Sequence, residues 1–137
     1  MASWRDELIE VVKTKAEREA EEQARHRKRV EEALATAETA MNLGIEGLRF
    51  TRDKLKEKEQ PADLAEQADS YRLTLREQSL SLELNRESAA IKVTFGEGKP
   101  REFDFAKDRH IAPADVEEYV GRRALELARA AQKGSPW

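Results

Sequence analysis

Apolar residues recur at helical spacing from about Ser3 to about Lys58, a stretch with no proline and no glycine before Gly44. Ile9, Val12, Ala16 and Ala20 trace one stripe, continued by Val30, Leu34, Ala37, Met41, Leu48 and Leu55. From Val30 onward the register is close to a heptad, with Leu34, Met41, Leu48 and Leu55 seven residues apart. Between Ala20 and Val30 the stripe passes through Gln23 and Arg27, so the seam there is weak. At ~25 cal/mol per Å2 an alanine seam stabilises far less than a leucine seam. The expectation is a firmly packed half from Val30 to Leu55 and a lightly packed half before it. As one helix the stretch spans roughly 80 Å. That exceeds the width of a small domain, so part of it is expected to find another surface.

Local signals fit a helix start at Ser3. Ser3 is the expected N-cap, Asp6 holds the capping-box position, and Asp6 and Glu7 suit the positive end of the helix dipole. Gly44 and Gly47 each cost up to about 1 kcal/mol against alanine inside a helix. Either the chain turns back near Asn42 and Gly44, or the helix continues and the glycines permit close packing. The heptad register is kept across them, which favours a continuous or kinked helix.

Beyond Pro61 the period changes. Pro61 to about Ala68 reads as a short helix with proline in its first turn. Tyr71, Leu73 and Leu75 then alternate with polar residues, as do Leu80, Leu82 and Leu84; Ile91, Val93 and Phe95; and Phe103 with Phe105. Period-two alternation with short connections predicts a four-stranded antiparallel meander with one wet face. Pro113 opens a closing helix with Val116, Val120, Leu127, Tyr119 and Ala124 on its apolar face, and Gly134 and Pro136 stop it. The expected fold is α+β: a long helical, coiled-coil-like segment over residues 1–60 and a small α+β domain over 61–137, the closing helix packed on one sheet face. A core of that size is marginal, so the second half of the long helix is expected to share it.

Composition sharpens this picture. The chain of 137 residues is 39% hydrophobic and 39% charged, against about 45–50% and 25% for ordinary globular chains. That balance fits a solvated helix attached to a small core. The net charge of −3 is spread evenly, which disfavours strong nonspecific nucleic-acid binding. There is no cysteine, so disulfides and thiolate metal sites are excluded. No segment has the apolar length of a signal peptide or membrane span, and the expected compartment is the cytoplasm.

The order of charges in the weak seam points to a partner. Glu17, Glu19, Glu21 and Glu22 precede Arg25, Arg27, Lys28 and Arg29. A parallel in-register pair would set like blocks side by side; an antiparallel pair crossing near Gln23 would set each acidic block against a basic one. The simpler alternative is pairing within one helix, as Glu21–Arg25, Arg27–Glu31 and Lys28–Glu32 at i,i+4.

No catalytic signature is present, and no enzyme activity, cofactor or metal is expected. Gly96-x-Gly98 lies in a hairpin rather than before a helix. His26 sits among arginines as a solvated side chain. His110, with Asp104 and Asp108, makes a poor metal-ligand set. The polar sheet face, with Arg72, Arg76, Lys92 and Thr94, lacks the aromatic platform that stacks RNA bases. Trp4 is either a first-turn contact or a partner surface, and Trp137 is expected to fray.

The expected function is therefore assembly or adaptor activity. The protein interface is expected at Ile9, Val12, Ala16 and Ala20 for the light seam and Val30, Leu34, Met41 and Leu48 for the firm one. The partner is a second copy, antiparallel, or a helix of a larger complex. One alternative is nucleic-acid binding through Arg25, Arg27, Lys28 and Arg29. Another is a small-molecule pocket between sheet and helices.

Overall fold

Alternation in the second half of the chain forms a single sheet that two helices cover on one side. The structure, a computed structural model, describes residues 3–133. Helices α1 (Trp4–Val11) and α2 (Lys15–Glu57) come first. Strands β1 (Ala62–Gln67), β2 (Ser70–Leu75), β3 (Gln78–Asn85), β4 (Ala90–Phe95) and β5 (Arg101–Asp104) follow, and α3 (Pro113–Lys133) closes the chain. Gly134, Pro136 and Trp137 lie outside the described residues.

The sheet is an antiparallel meander in the order β1-β2-β3-β4-β5. It has five strands, not four, because the segment after Pro61 is a strand rather than a short helix. Residues Ala62–Gln67 are good helix formers, but six residues do not sustain a helix alone. Pairing Ala62 with Leu75 and Leu64 with Leu73 covers the flank of β2 and adds two apolar side chains to the inner face. Arg49 on α2 donates to Glu66 at 2.8 Å and ties this edge strand to the helix.

Register puts Leu73, Leu80 and Phe95 in one row and Tyr71, Leu82 and Val93 in another. The opposite face carries Arg72, Thr74, Ser81 and Thr94, with Lys92 between Glu83 and Glu102. That row of opposite charges suits a solvated surface. Arg76 lies in the two-residue connection from β2 to β3 rather than on this face, with φ at 58°.

The core lies between the inner sheet face and the two helices. From α2 it takes Ala37, Ala40, Met41, Ile45, Leu48 and Leu55; from α3 it takes Val116, Val120, Ala124, Leu127 and Ala131. The expected sharing of the core by the later part of the long helix is therefore present. Each fully buried leucine contributes about 1.5–3 kcal/mol relative to exposure. Pro113 opens α3 as expected, and Asp115 Oδ2 accepts the Ala112 N–H at 2.8 Å, capping the first turn.

Helix α2 passes through Gly44 and Gly47 without interruption. A Cβ on Gly44 would stand 2.8 Å from Leu82 Cδ2 and 3.6 Å from Val120 Cγ2, so glycine here brings the helix down onto β3 and α3 together. Ala33 and Thr36 share a recess with Ile111, while Gly44 and Gly47 approach Val120, so α2 and α3 run in the same direction over the sheet.

The expected single helix from Ser3 is two. Ser3 caps α1 with the predicted capping box to Asp6. The chain then leaves helical geometry at Val12–Thr14, and Thr14 caps a new helix by accepting the Glu17 N–H at 3.1 Å. Val11 ends α1 and Val12 opens the break; β-branched pairs hold a helix less well than the Ala, Glu and Lys that follow.

Candidate protein interface

Helix α2 changes character along its length. Every residue from Lys15 to Arg29 is exposed, Val30 and Leu34 are half-buried, and burial begins at Ala37. The exposed part is an arm of about 22 Å at helical rise. It is a helix because its residues are strong helix formers and because the core-bound part of α2 supplies the nucleus that an isolated helix lacks.

The predicted interface residues divide along this gradient. Ala16 and Ala20 lie on the arm, and Ile9 and Val12 lie on α1 and at the corner after it, all exposed. Val30 and Leu34 pack at the base of the arm against the core. Met41 and Leu48 are at 4% and 0% exposure inside the core, so neither is on a surface that a partner can reach. Their heptad spacing serves contact with the chain's own sheet and α3. The light seam is also not one straight stripe, because the break at Val12–Thr14 separates Ile9 from Ala16.

Helix α1 has no buried residue. Trp4, Leu8, Ile9, Val11 and Val12 are between 49% and 71% exposed. The Arg5 guanidinium lies 5.6 Å from the Trp4 ring centroid. Leu8 and Val11 join Trp4 at i, i+4 and i+7, a spacing visible in the sequence that the stripe through Ile9 and Val12 passes over.

The corner between α1 and α2 is pinned. Lys13 Nζ bridges Glu10 at 2.9 Å and Glu21 at 2.8 Å, and Arg18 donates to the Val11 carbonyl at 3.4 Å. The hydrogen bond from Lys13 holds the Glu21 carboxyl below its ordinary value, and hydrogen bonds to Glu21 and then Glu10 hold Lys13 above its own. The bridge therefore contributes across the range between them. It is lost as pH falls through the lowered Glu21 value, or rises through the raised Lys13 value. Replacing Lys13 with methionine is expected to move Glu21 up toward ordinary carboxylate titration, observable as an upward pKa shift in side-chain NMR. An unmoved Glu21 would mean that the bridge is not formed.

The basic block from Arg25 to Arg29 is free of ion pairs. Among the described residues, no ion pair within 4.0 Å involves Arg25, Arg27, Lys28 or Arg29. The intrahelical pairs Glu21–Arg25, Arg27–Glu31 and Lys28–Glu32 are not made, and Glu21 turns to Lys13 instead. The basic block is thus not spent within the helix, while Glu19 pairs with Lys15 at 3.9 Å and Glu21 with Lys13. His26 stands exposed within the basic block, between Arg25 and Arg27.

Elsewhere an open recess of about 660 Å3 lies between β5 and the start of α3, lined in part by Phe103, Tyr119, His110 and Arg101. Its carboxylates are mostly engaged locally. Asp104 accepts from the Ala106 and Lys107 amides, Asp108 from the His110 amide, and Glu118 pairs with Arg122. Asp104, Asp108 and His110 do not converge, and among the described residues no three potential ligands group around a metal position. No described helix is long and apolar enough to cross a membrane. Comparison of the chain with protein-family models, with curated proteins and with solved structures finds no match.

Proposed function

We propose that this chain is a non-enzymatic assembly or adaptor protein that associates through the α2 arm, with a second copy as its partner. The observation that carries the reading is the contrast within one helix: exposed on every side over Lys15–Arg29, and buried from Ala37 onward. A helix so extended past its own core gains from a partner, and the unpaired basic block gives that partner an orientation. In an antiparallel pair Glu17, Glu19 and Glu21 of one copy face Arg29, Arg27 and Arg25 of the other, with Glu21 sharing its carboxylate with its own Lys13. The reading takes the cytoplasm as the compartment, in keeping with a cysteine-free chain.

Sedimentation of the full chain across concentration tests this. A reversible monomer–dimer equilibrium is expected, weakening as salt screens the charge blocks. A monomer at every concentration in low salt overturns the self-association.

The freedom of Arg25, Arg27, Lys28 and Arg29 also favours a second reading, in which the basic segment binds nucleic acid. Acidic residues on both sides oppose it. That reading requires a mobility shift that weakens steeply with salt, and no shift in low salt removes it.

A further inference from the structure

The sheet has an open edge at β5. The bond from the Phe105 N–H to the Ala89 carbonyl at 3.1 Å continues the β4–β5 register and fixes its phase. In an antiparallel pair, residues bonded to the neighbour alternate with residues whose backbone groups point away from it. Arg101 and Phe103 therefore bond to Val93 and Ile91, and the backbone groups of Glu102 and Asp104 point out of the sheet. The Asp104 carbonyl accepts the Asp108 N–H at 2.9 Å. Among the described residues, no protein group bonds to the Asp104 N–H or to either backbone group of Glu102.

Beside this edge lies the open recess of about 660 Å3 between β5 and α3. Helix α3 lines it with Asp115, Glu118, Tyr119 and Arg122, one stripe at i, i+3, i+4 and i+7. Phe103, Ile111 and Tyr119 give it an apolar floor, the Phe103 and Tyr119 rings meeting edge to face at 5.6 Å. An unpaired strand edge beside a helix-walled groove is the setting in which an extended peptide adds a strand.

We propose that the β5 edge takes an extended, basic segment of a partner protein, added as a sixth strand between β5 and α3. The backbone selects an extended chain: the outward groups of Glu102 and Asp104 match those of another strand, whereas a helix bonds its own within itself. Alternation then sets the segment's pattern. Apolar residues meet the floor on the Phe103 side, and the residues between them lie beside Glu102 and Asp104 on the opposite face.

Charge selects lysine or arginine for those positions. Among the described residues, Glu102, Asp104, Asp108 and Asp115 make no ion pair within 4.0 Å, and Glu118 is offset by Arg122. The bonds that Asp104, Asp108 and Asp115 accept come from backbone amides, so these carboxylates keep their charge. Against them stands Arg101, its guanidinium 5.1 Å from the Phe103 ring centroid. The same charges disfavour a second copy. Two β5 edges paired antiparallel would set Glu102 and Asp104 of each against those of the other, acid directly opposite acid. The other edge strand, β1, carries Asp63 and Glu66 and no basic residue. This surface holds no residue of the α2 arm, so the proposal stands or falls apart from the assembly reading.

The probe is a fluorescein-labelled seven-residue peptide alternating lysine with valine. In low salt its anisotropy is expected to rise on adding the full chain. Hydrogen exchange at the Glu102 and Asp104 amides is expected to slow by about 10-fold or more, while the Phe103 amide, already bonded to β4, is unchanged. Glu102→Pro removes the outward donor and leaves the ladder to β4 intact, as proline on a sheet edge does. It is expected to weaken binding by about 10-fold or more with the melting temperature unchanged. Glu102→Gln, which removes the charge alone, weakens it by about 1.5- to 5-fold. The peptide N-methylated throughout keeps its charge, loses its backbone donors and is expected not to bind. No rise in anisotropy overturns the proposal, as does equal binding by the N-methylated peptide or by a glutamate–valine counterpart. Slowed exchange of the same amides with rising protein concentration alone assigns the edge to a second copy and also overturns it.

Discussion

Replacing Gly44 with leucine is expected to lower the stability of the fold by about 3 kcal/mol or more, at the upper end of overpacking costs. The added Cβ alone would lie 2.8 Å from Leu82 Cδ2, a distance that forces movement. Leu82 is fully buried, with Leu73, Val93 and Val120 also enclosed in the same core, so its side chain has no open space to rotate into. Gly44→Ala separates this contact from size. Alanine gains up to about 1 kcal/mol of helix propensity, which the clash outweighs, leaving a net loss of about 1 kcal/mol. Gly47 is the internal control. A Cβ there would meet only Val120 Cγ1 at 3.9 Å, an ordinary contact. Gly47→Ala is therefore expected to stabilise by up to about 1 kcal/mol. Thermal unfolding reads all three, and a melting temperature raised by both alanine variants would refute the close approach at Gly44.

Reversing the basic block of the arm, with Arg25, Arg27, Lys28 and Arg29 all changed to Glu, is expected to abolish dimerisation. In an antiparallel pair each acidic segment then meets an acidic segment, twice per dimer. With roughly three opposed positions in each crossing half, each worth about 0.2–1 kcal/mol when exposed, the loss is about 10- to 10,000-fold in affinity. The complementary variant, Glu17→Lys, Glu19→Lys and Glu22→Lys, is expected to be monomeric as well; it spares Glu21, which holds Lys13. Mixing the two variants restores a dimer of one chain with the other. Neutralising the block with glutamine distinguishes orientation. It weakens an antiparallel pair, whereas a parallel one, with like blocks side by side, would be relieved and tighten. The substituted residues are exposed and carry no core contact, so circular dichroism should report an intact sheet and α3 in each variant.

Most of the sheet was legible because its strands alternate strictly, and one buried face forces that alternation. Strand β1 was not, since Ala62-Asp63-Leu64-Ala65-Glu66-Gln67 has only one large apolar residue and a composition that favours helix. What makes it a strand is the open flank of β2, a tertiary demand that local propensity does not record. The break before α2 did leave a sign: Thr14-Lys15-Ala16-Glu17 has the spacing of a capping box, hidden inside a longer helical pattern. The assignment of Met41 and Leu48 to an interface shows a different limit. A heptad stripe reports that one helix face is buried, and says nothing of whether the covering surface belongs to the same chain. The exposed alanine seam was legible for the converse reason, because its charge content leaves little to bury.

The arm and the core ladder of α2 are one unbroken helix, so the arm has no orientation of its own. Its angular phase is inherited from the contacts of Ala37 to Leu55 with the sheet and α3. One residue inserted between Arg29 and Val30 would swing the whole arm and α1 by about 100° around the axis, while seven would carry them outward about 10 Å and nearly restore the original direction. The protein thus presents its N-terminal surface as a ruler with helical graduations: its reach can change in steps of two turns, but a single-residue change redirects it.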